Sequence, residues 1–188
     1  MESEYKQGLH VFVGKQGEGK TLAMIGTMSG ELEKSPDRKV FSNINLSIPH
    51  EKITFDKDIE GSDYIDILKM IKEDPTYFNN SIMILDEIHI YVDSYAFHTK
   101  NNKVLQQFMT QLRKRNILIL ATTQYFSQLD NRIRSQARYC FKMKKITNTR
   151  YTMEVYIPDR YDVEYSHTVE LVNMGRYFKY YDTHEVVS

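Results

Sequence analysis

Apolar positions recur along this chain in two rhythms. Leu9–Val13 (LHVFV), Ile82–Leu85 (IMIL) and Ile117–Ala121 (ILILA) are short continuous runs, rich in branched residues and each followed by Gly or a polar residue. Such runs read as strands buried on both faces. Lys39–Ile44 (KVFSNI) reads as a further strand. Elsewhere the spacing is helical. Thr21–Glu33 opens with Leu22, Met24 and Ile25 and stops at Ser35-Pro36-Asp37. Asp63–Asp74 sets Ile67, Met70 and Ile71 on one face and ends at Pro75, and Asn101–Arg115 places Leu105, Phe108, Met109 and Leu112 at i, i+3, i+4 and i+7. Tyr151–Ile157 alternates apolar and polar residues, as an antiparallel strand does, and is expected to pair with Tyr139–Lys145 across Thr147-Asn148-Thr149. Buried strands alternating with helices predict an α/β fold: a central, mostly parallel sheet flanked by helices, with an antiparallel β extension near the C-terminus. The β-rich tail to Ser188 extends that sheet, so residues 1–188 read as a single domain.

Composition narrows the class. With 41% hydrophobic and 27% charged residues, the chain can bury a core and is not of the disordered type. No apolar run approaches the ~18 residues of a membrane span. The opening MESEYKQG lacks the apolar stretch of a signal peptide. A single cysteine, Cys140, excludes an internal disulfide and a Cys-cluster zinc site, and the six His show no metal-ligand spacing. An intracellular protein is expected.

The formal net charge of +0 conceals an asymmetry, because Asn101–Arg150 holds 11 Lys/Arg against one acid, Asp130. One reading is a solvated face that neutralises acidic neighbours. The other is a surface for a polyanion, with Arg132, Arg134, Arg138, Lys142, Lys144 and Lys145 as candidate contacts. The chemical motifs favour the second.

Gly14-Lys15-Gln16-Gly17-Glu18-Gly19-Lys20-Thr21 matches G-x-x-x-x-G-K-[ST] in full, after a strand and before a helix. Glycines let the backbone curl so that its N–H groups form an anion nest. Lys20 adds a charge for the β- and γ-phosphates, Thr21 offers a hydroxyl to Mg²⁺, and the helix beginning there, with Leu22 in its first turn, adds its positive end. In Ile82–Glu87 an apolar strand ends in two acids. Asp86 is placed to hold the Mg²⁺ shell and Glu87 to polarise an attacking water. The second acid argues for hydrolysis over transfer to a small acceptor. Ile117–Gln124 is a third strand with a polar end, Thr122, Thr123 and Gln124, and Gln124 is the candidate sensor of the γ-phosphate. Gln111-Leu112-Arg113-Lys114-Arg115 closes a helix with cations. These either complement the helix dipole or supply an Arg finger, from Arg113 or Arg115, to a neighbouring subunit's nucleotide. Arg132 and Arg134 are further candidates. His89, Cys140 and the Tyr-rich segment from Tyr151 onward read as packing residues.

In combination these segments resemble the FtsK/HerA superfamily of P-loop ATPases, and more narrowly its Zot-like and viral genome-packaging branch. The resemblance is carried by GKQGEGKT (14–21), SNINL (42–46), ILDEIH (84–89), QLRKRN (111–116), ATTQ (121–124), LDNRIR (129–134) and YYDTHE (180–185), in that order. It implies a RecA-like sheet, ATP and Mg²⁺ as ligands, and a homo-oligomeric ring, commonly a hexamer, that moves double-stranded DNA without regard to sequence. Zot-like assembly proteins usually carry a membrane span after the ATPase domain, and these residues contain none. Length and solubility look more like the small packaging ATPases, which pump DNA into a procapsid in the host cytoplasm, at the packaging vertex, beside capsid or internal-membrane proteins. The alternatives are a Zot-like phage assembly or secretion ATPase, and a nucleotide switch or kinase that does not translocate.

Overall fold

The computed structural model describes residues 7–55, 64–90, 100–158 and 163–181, with 100–103 described for their backbone. Its strands are β1 (Gly8–Val13), β2 (Lys39–Ser42), β3 (Glu51–Thr54), β4 (Ile65–Asp66), β5 (Ser81–Leu85), β6 (Leu118–Thr123), β7 (Ala137–Lys145), β8 (Arg150–Pro158) and β9 (Val163–Val172). The helices are α1 (Lys20–Lys34), α2 (Ile67–Glu73), α3 (Lys100–Gln111) and α4 (Asn131–Arg134), and Met174–Tyr180 forms a 3₁₀ segment. The strands make one sheet in the order β4-β3-β2-β5-β6-β1-β7-β8-β9. Pairing is parallel from β4 through β7, and antiparallel between β7 and β8 and between β8 and β9.

The continuous apolar runs follow from this layering. Leu9, Val11, Met83, Leu85, Ile119 and Ala121 point into a core shared with α2 and α3. Phe12, Ile82, Ile84, Leu118 and Leu120, the alternate positions, point into a second core under α1. A strand covered on both faces has no solvated side on which to place polar residues. Among the described residues, the sheet beyond β7 is covered on one side only. There Phe141, Met143, Tyr151, Met153 and Val155 still pack toward α1, while Lys142 and Lys144 are exposed.

The boundaries differ from the sequence expectation for local reasons. The helix expected from Asp63 begins at Ile67, because the Asp66 carboxylate accepts the N–H of Leu68 at 2.8 Å and of Lys69 at 3.1 Å. That is an N-cap, and it leaves Ile65–Asp66 extended against β3; Asp63 lies outside the described residues. Strand β2 ends at Ser42, whose hydroxyl turns back to the carbonyl of Ile44 at 2.7 Å. Helix α3 ends at Gln111, and the chain reverses through Asn116, which has φ 54°. No helix among the described residues is long and apolar enough to cross a membrane.

Topology decides where the chemistry gathers. Strand β6 comes from late in the chain yet lies between β1 and β5, with Val13 opposite Thr123 and Leu85 opposite Ala121. The C-terminal ends of β1, β5 and β6 therefore share one edge, the usual location of ligands in open α/β sheets.

Candidate nucleotide site

The loop after β1 is built to accept an anion. Gly19 precedes α1 at φ 84° and gives the helix no side-chain cap. The first N–H groups of α1 therefore have no capping side chain, and no acid occupies the first turn. A side chain is excluded at Gly19 twice over, by its left-handed backbone and because a Cβ would lie 2.6 Å from the Tyr151 ring. Within the loop the Glu18 carboxylate accepts the Lys15 N–H at 2.6 Å. Lys20 is buried, with its ammonium 3.3 Å from the Lys15 carbonyl and 3.6 Å from Glu87 Oε1.

The acid pair is held by hydroxyls and an amide. Asp86 Oδ1 accepts from Thr21 Oγ1 at 3.0 Å and from Thr122 Oγ1 at 2.7 Å. The same Thr122 oxygen accepts the Glu87 N–H at 2.8 Å. Just beyond β2, the Asn43 side chain grips the Asp86 backbone at both ends. Its Oδ1 accepts the Asp86 N–H at 2.7 Å, and its Nδ2 donates to the Asp86 carbonyl at 2.9 Å. Glu87 takes φ 50°, a backbone that costs a side-chain-bearing residue about 1–2 kcal/mol. The clamp from Asn43 and Thr122 fixes this turn. Glu87 stands between the Lys20 ammonium and the His89 ring, whose Nδ1 is 3.2 Å from Glu87 Oε2. His89 also meets Thr123 Oγ1 at 3.4 Å, so it faces the site and is not only a packing residue.

Burial pushes the Asp86 carboxyl up from its ordinary value, against the hydroxyls of Thr122 and Thr21 that favour the charged form. A cation beside it would reverse that. Thr21 and Asp86 together offer one hydroxyl and one carboxylate oxygen, and no cluster of three or more metal-ligating side chains occurs among the described residues. That donor set fits Mg²⁺, which binds through one or two protein oxygens and takes its other ligands from water and phosphate.

A cleft of ≈ 340 Å³ opens over these groups. Gln16, Gly17, Gly19, Lys20, Thr21 and Leu22 form its phosphate-loop side, Asp86 and Glu87 its acidic end, and Ile44, Lys145, Tyr151, Phe178 and Tyr181 the remaining wall. The sequence pattern does not mark this aromatic wall, because the Tyr-rich segment reads there as packing residues.

The other expected residues are spread over the fold. Gln124 follows β6 and is exposed, while the bonds to the acid pair and to His89 come from Thr122 and Thr123. Arg113 and Arg115 sit at the opposite edge, where β1 and β6 begin, so neither reaches its own chain's phosphate loop. Arg115 donates to the Pro75 carbonyl and the Gln111 side chain and stacks 6.0 Å from the Phe108 ring centre; Arg113 is exposed. The basic block divides three ways. Lys145 lines the cleft, Lys142 and Lys144 point from the open face of β7, and Arg113 and Arg138 flank a hollow beside Gly8. Lys142 is 3.6 Å from Glu154. In YYDTHE, residues 182–185 lie outside the described residues.

A phosphate loop after β1, acids after β5 and hydroxyls from the strand between them define the RecA-like P-loop NTPase fold. A family model described as zonular occludens toxin (Zot) matches residues 9–185, and the chain belongs to that family. Among solved structures, the N-terminal domain of zonular occludens toxin from Neisseria meningitidis is similar at TM-score 0.72 and 24% identity, over 95% of this chain and 100% of that one. The DNA-packaging ATPase B204 from Sulfolobus turreted icosahedral virus is similar at TM-score 0.57 and 11% identity, over 86% and 98%. The flagellar accessory protein FlaH from Methanocaldococcus jannaschii is similar at TM-score 0.52 and 14% identity, over 87% and 84%. No curated protein matches the chain.

Proposed function

We propose that this chain binds ATP with Mg²⁺ and hydrolyses it as the motor of a phage-type assembly process that moves double-stranded DNA. The observation that carries this reading is the junction of two elements distant in sequence, with Lys20 3.6 Å from Glu87 and Thr21 3.0 Å from Asp86. Lys20 and the N–H groups of Gly17–Leu22 hold the β- and γ-phosphates. Thr21 and Asp86 are the residues that would hold Mg²⁺, which would supply positive charge against those phosphates. When the γ-phosphate draws Lys20 away from Glu87, the Glu87 carboxylate turns to a water in line with the bond that breaks and takes up its proton. His89 and Thr123 pass the change in Glu87 to the segment beyond β6, which leads into the basic residues.

Procapsid packaging is one version of this motor, and a Zot-like assembly or secretion ATPase is the other; membership of the Zot family supports keeping the second beside the first. A homo-oligomeric ring in the host cytoplasm is part of the proposal, with Arg113 the arginine offered to the neighbouring nucleotide. The test is phosphate release from ATP with and without double-stranded DNA, alongside the particle mass in solution. DNA stimulation of a ring-sized particle is expected. Hydrolysis indifferent to DNA by a monomer would leave a nucleotide switch.

A further inference from the structure

We infer that the 3₁₀ segment Met174–Tyr180 and the residue after it form the subsite for the nucleotide's base, with Phe178 as the stacking platform. This rests on the nucleotide reading above and adds where the heteroaromatic part of the ligand lies. The cleft is too varied for a triphosphate alone. Its phosphate side is glycine and lysine, whereas its outer wall is Ile44, Tyr151, Phe178 and Tyr181 with Lys145 beside them. Phosphate gains nothing from aromatic faces, while a flat base gains stacking and burial.

The wall is anchored on three sides. Tyr177 packs on α1 so closely that a Cβ at Gly26 would lie 2.9 Å from its ring. The Tyr180 carbonyl accepts the Ser47 N–H at 2.9 Å, and Tyr181 bridges to Leu46 beyond β2. Tyr151 reaches in from β8 and stops against Gly19. This framework holds Phe178 at the cleft, its ring centre 6.4 Å from that of Tyr181. Phe178 nevertheless remains 45% exposed. Its neighbour Tyr181 is more covered, and burial, with the Asp86 carboxylate and Tyr151 adding to it, raises its phenol to about 12. A large apolar ring carried on an anchored segment, half-exposed and lining the cleft, has the geometry of a platform for a planar ligand.

Mg²⁺-ATP and Mg²⁺-tripolyphosphate separate the base from the phosphates. Phe178→Ala should weaken ATP by about ten-fold or more and leave tripolyphosphate within about two-fold, as measured by calorimetry. Phe178 is on the surface, so the variant is expected to fold, with a melting curve as the check. Phe178→Trp supplies a second readout, because the chain contains no Trp. Its emission should be quenched by ATP and unmoved by tripolyphosphate, with ATP affinity retained. An unchanged ratio of ATP to tripolyphosphate affinity in Phe178→Ala, or Trp emission that responds equally to both, overturns the base subsite and leaves the phosphate site standing. Failure of the wild-type chain to bind either ligand overturns both.

Discussion

Thr122→Val removes one hydroxyl and almost no volume, so it isolates the bonds that join β6 to the acid pair. Thr122 is fully buried. Its oxygen accepts from the Glu87 N–H at 2.8 Å and donates to Asp86 Oδ1 at 2.7 Å. An unpaired buried donor costs about 1–3 kcal/mol, and a bond to a charged partner contributes about 1.5–3 kcal/mol. Asp86 keeps Thr21 and valine is the more apolar residue, so the expected net loss is about 2–4 kcal/mol, measured by urea unfolding. The left-handed turn at Glu87 also loses its clamp, and a displacement of ~1 Å at a reacting group costs on the order of 10² in rate. Turnover should therefore fall ~10–100-fold, while KM for ATP changes by less than about three-fold because the phosphate loop is untouched. A loss below ~0.5 kcal/mol together with near-normal turnover would refute the argument that Thr122 positions the acids.

Gly19→Ala should abolish nucleotide binding and lower the melting temperature, since the new Cβ meets Tyr151 at 2.6 Å on a backbone of φ 84°; a variant that binds ATP normally would contradict that packing. Asp86→Asn keeps an oxygen for Thr21 and Thr122 but removes a carboxylate that burial disfavours. The raised pKa means the folded protein binds a proton more tightly than the unfolded chain, so this group's contribution declines as pH rises from the usual carboxylate value, ~4, through the raised one. Without Mg²⁺, Asp86→Asn should melt at or above the wild-type temperature at neutral pH and lose that pH dependence, and a lower melting temperature would show that the carboxylate stabilises the free protein. Arg115→Ala should cost ~1–2 kcal/mol in urea unfolding by releasing Pro75 and Gln111. Arg113→Ala should leave stability alone and cut turnover ~10³-fold if it is the arginine acting on the neighbouring subunit, and unaltered turnover would remove it from that role.

The strands around the site could be read from the sequence because both of their faces are covered, so their apolar runs are continuous and end at the chemical residues. The phosphate loop is equally local: eight successive residues contain its glycines, Lys20 and Thr21. What was hidden is the contact between segments far apart. Thr122 and Asn43 hold Asp86 across 36 and 43 positions, and only the insertion of β6 between β1 and β5 brings Thr122 there. Asn43 did leave a signal, a polar residue interrupting a strand pattern in SNINL. Phe178 left none, because aromatic spacing is the same whether a ring enters the core or borders a cleft. The helix expected from Asp63 failed at its start because a cap depends on one carboxylate turning back to Leu68 and Lys69, which hydrophobic periodicity does not encode.

The most direct test of the proposed chemistry is phosphate release from Mg²⁺-ATP by the wild-type chain and by Glu87→Gln, with ATP affinity measured on the same samples. Glutamine preserves the shape beside Lys20 and His89 but cannot take a proton from water. The wild type should turn over, and Glu87→Gln should bind ATP at least as tightly while releasing phosphate at least ~10²-fold more slowly. Phosphate release at the wild-type rate from Glu87→Gln would contradict the assignment of Glu87 and, with it, the account of how this site hydrolyses ATP.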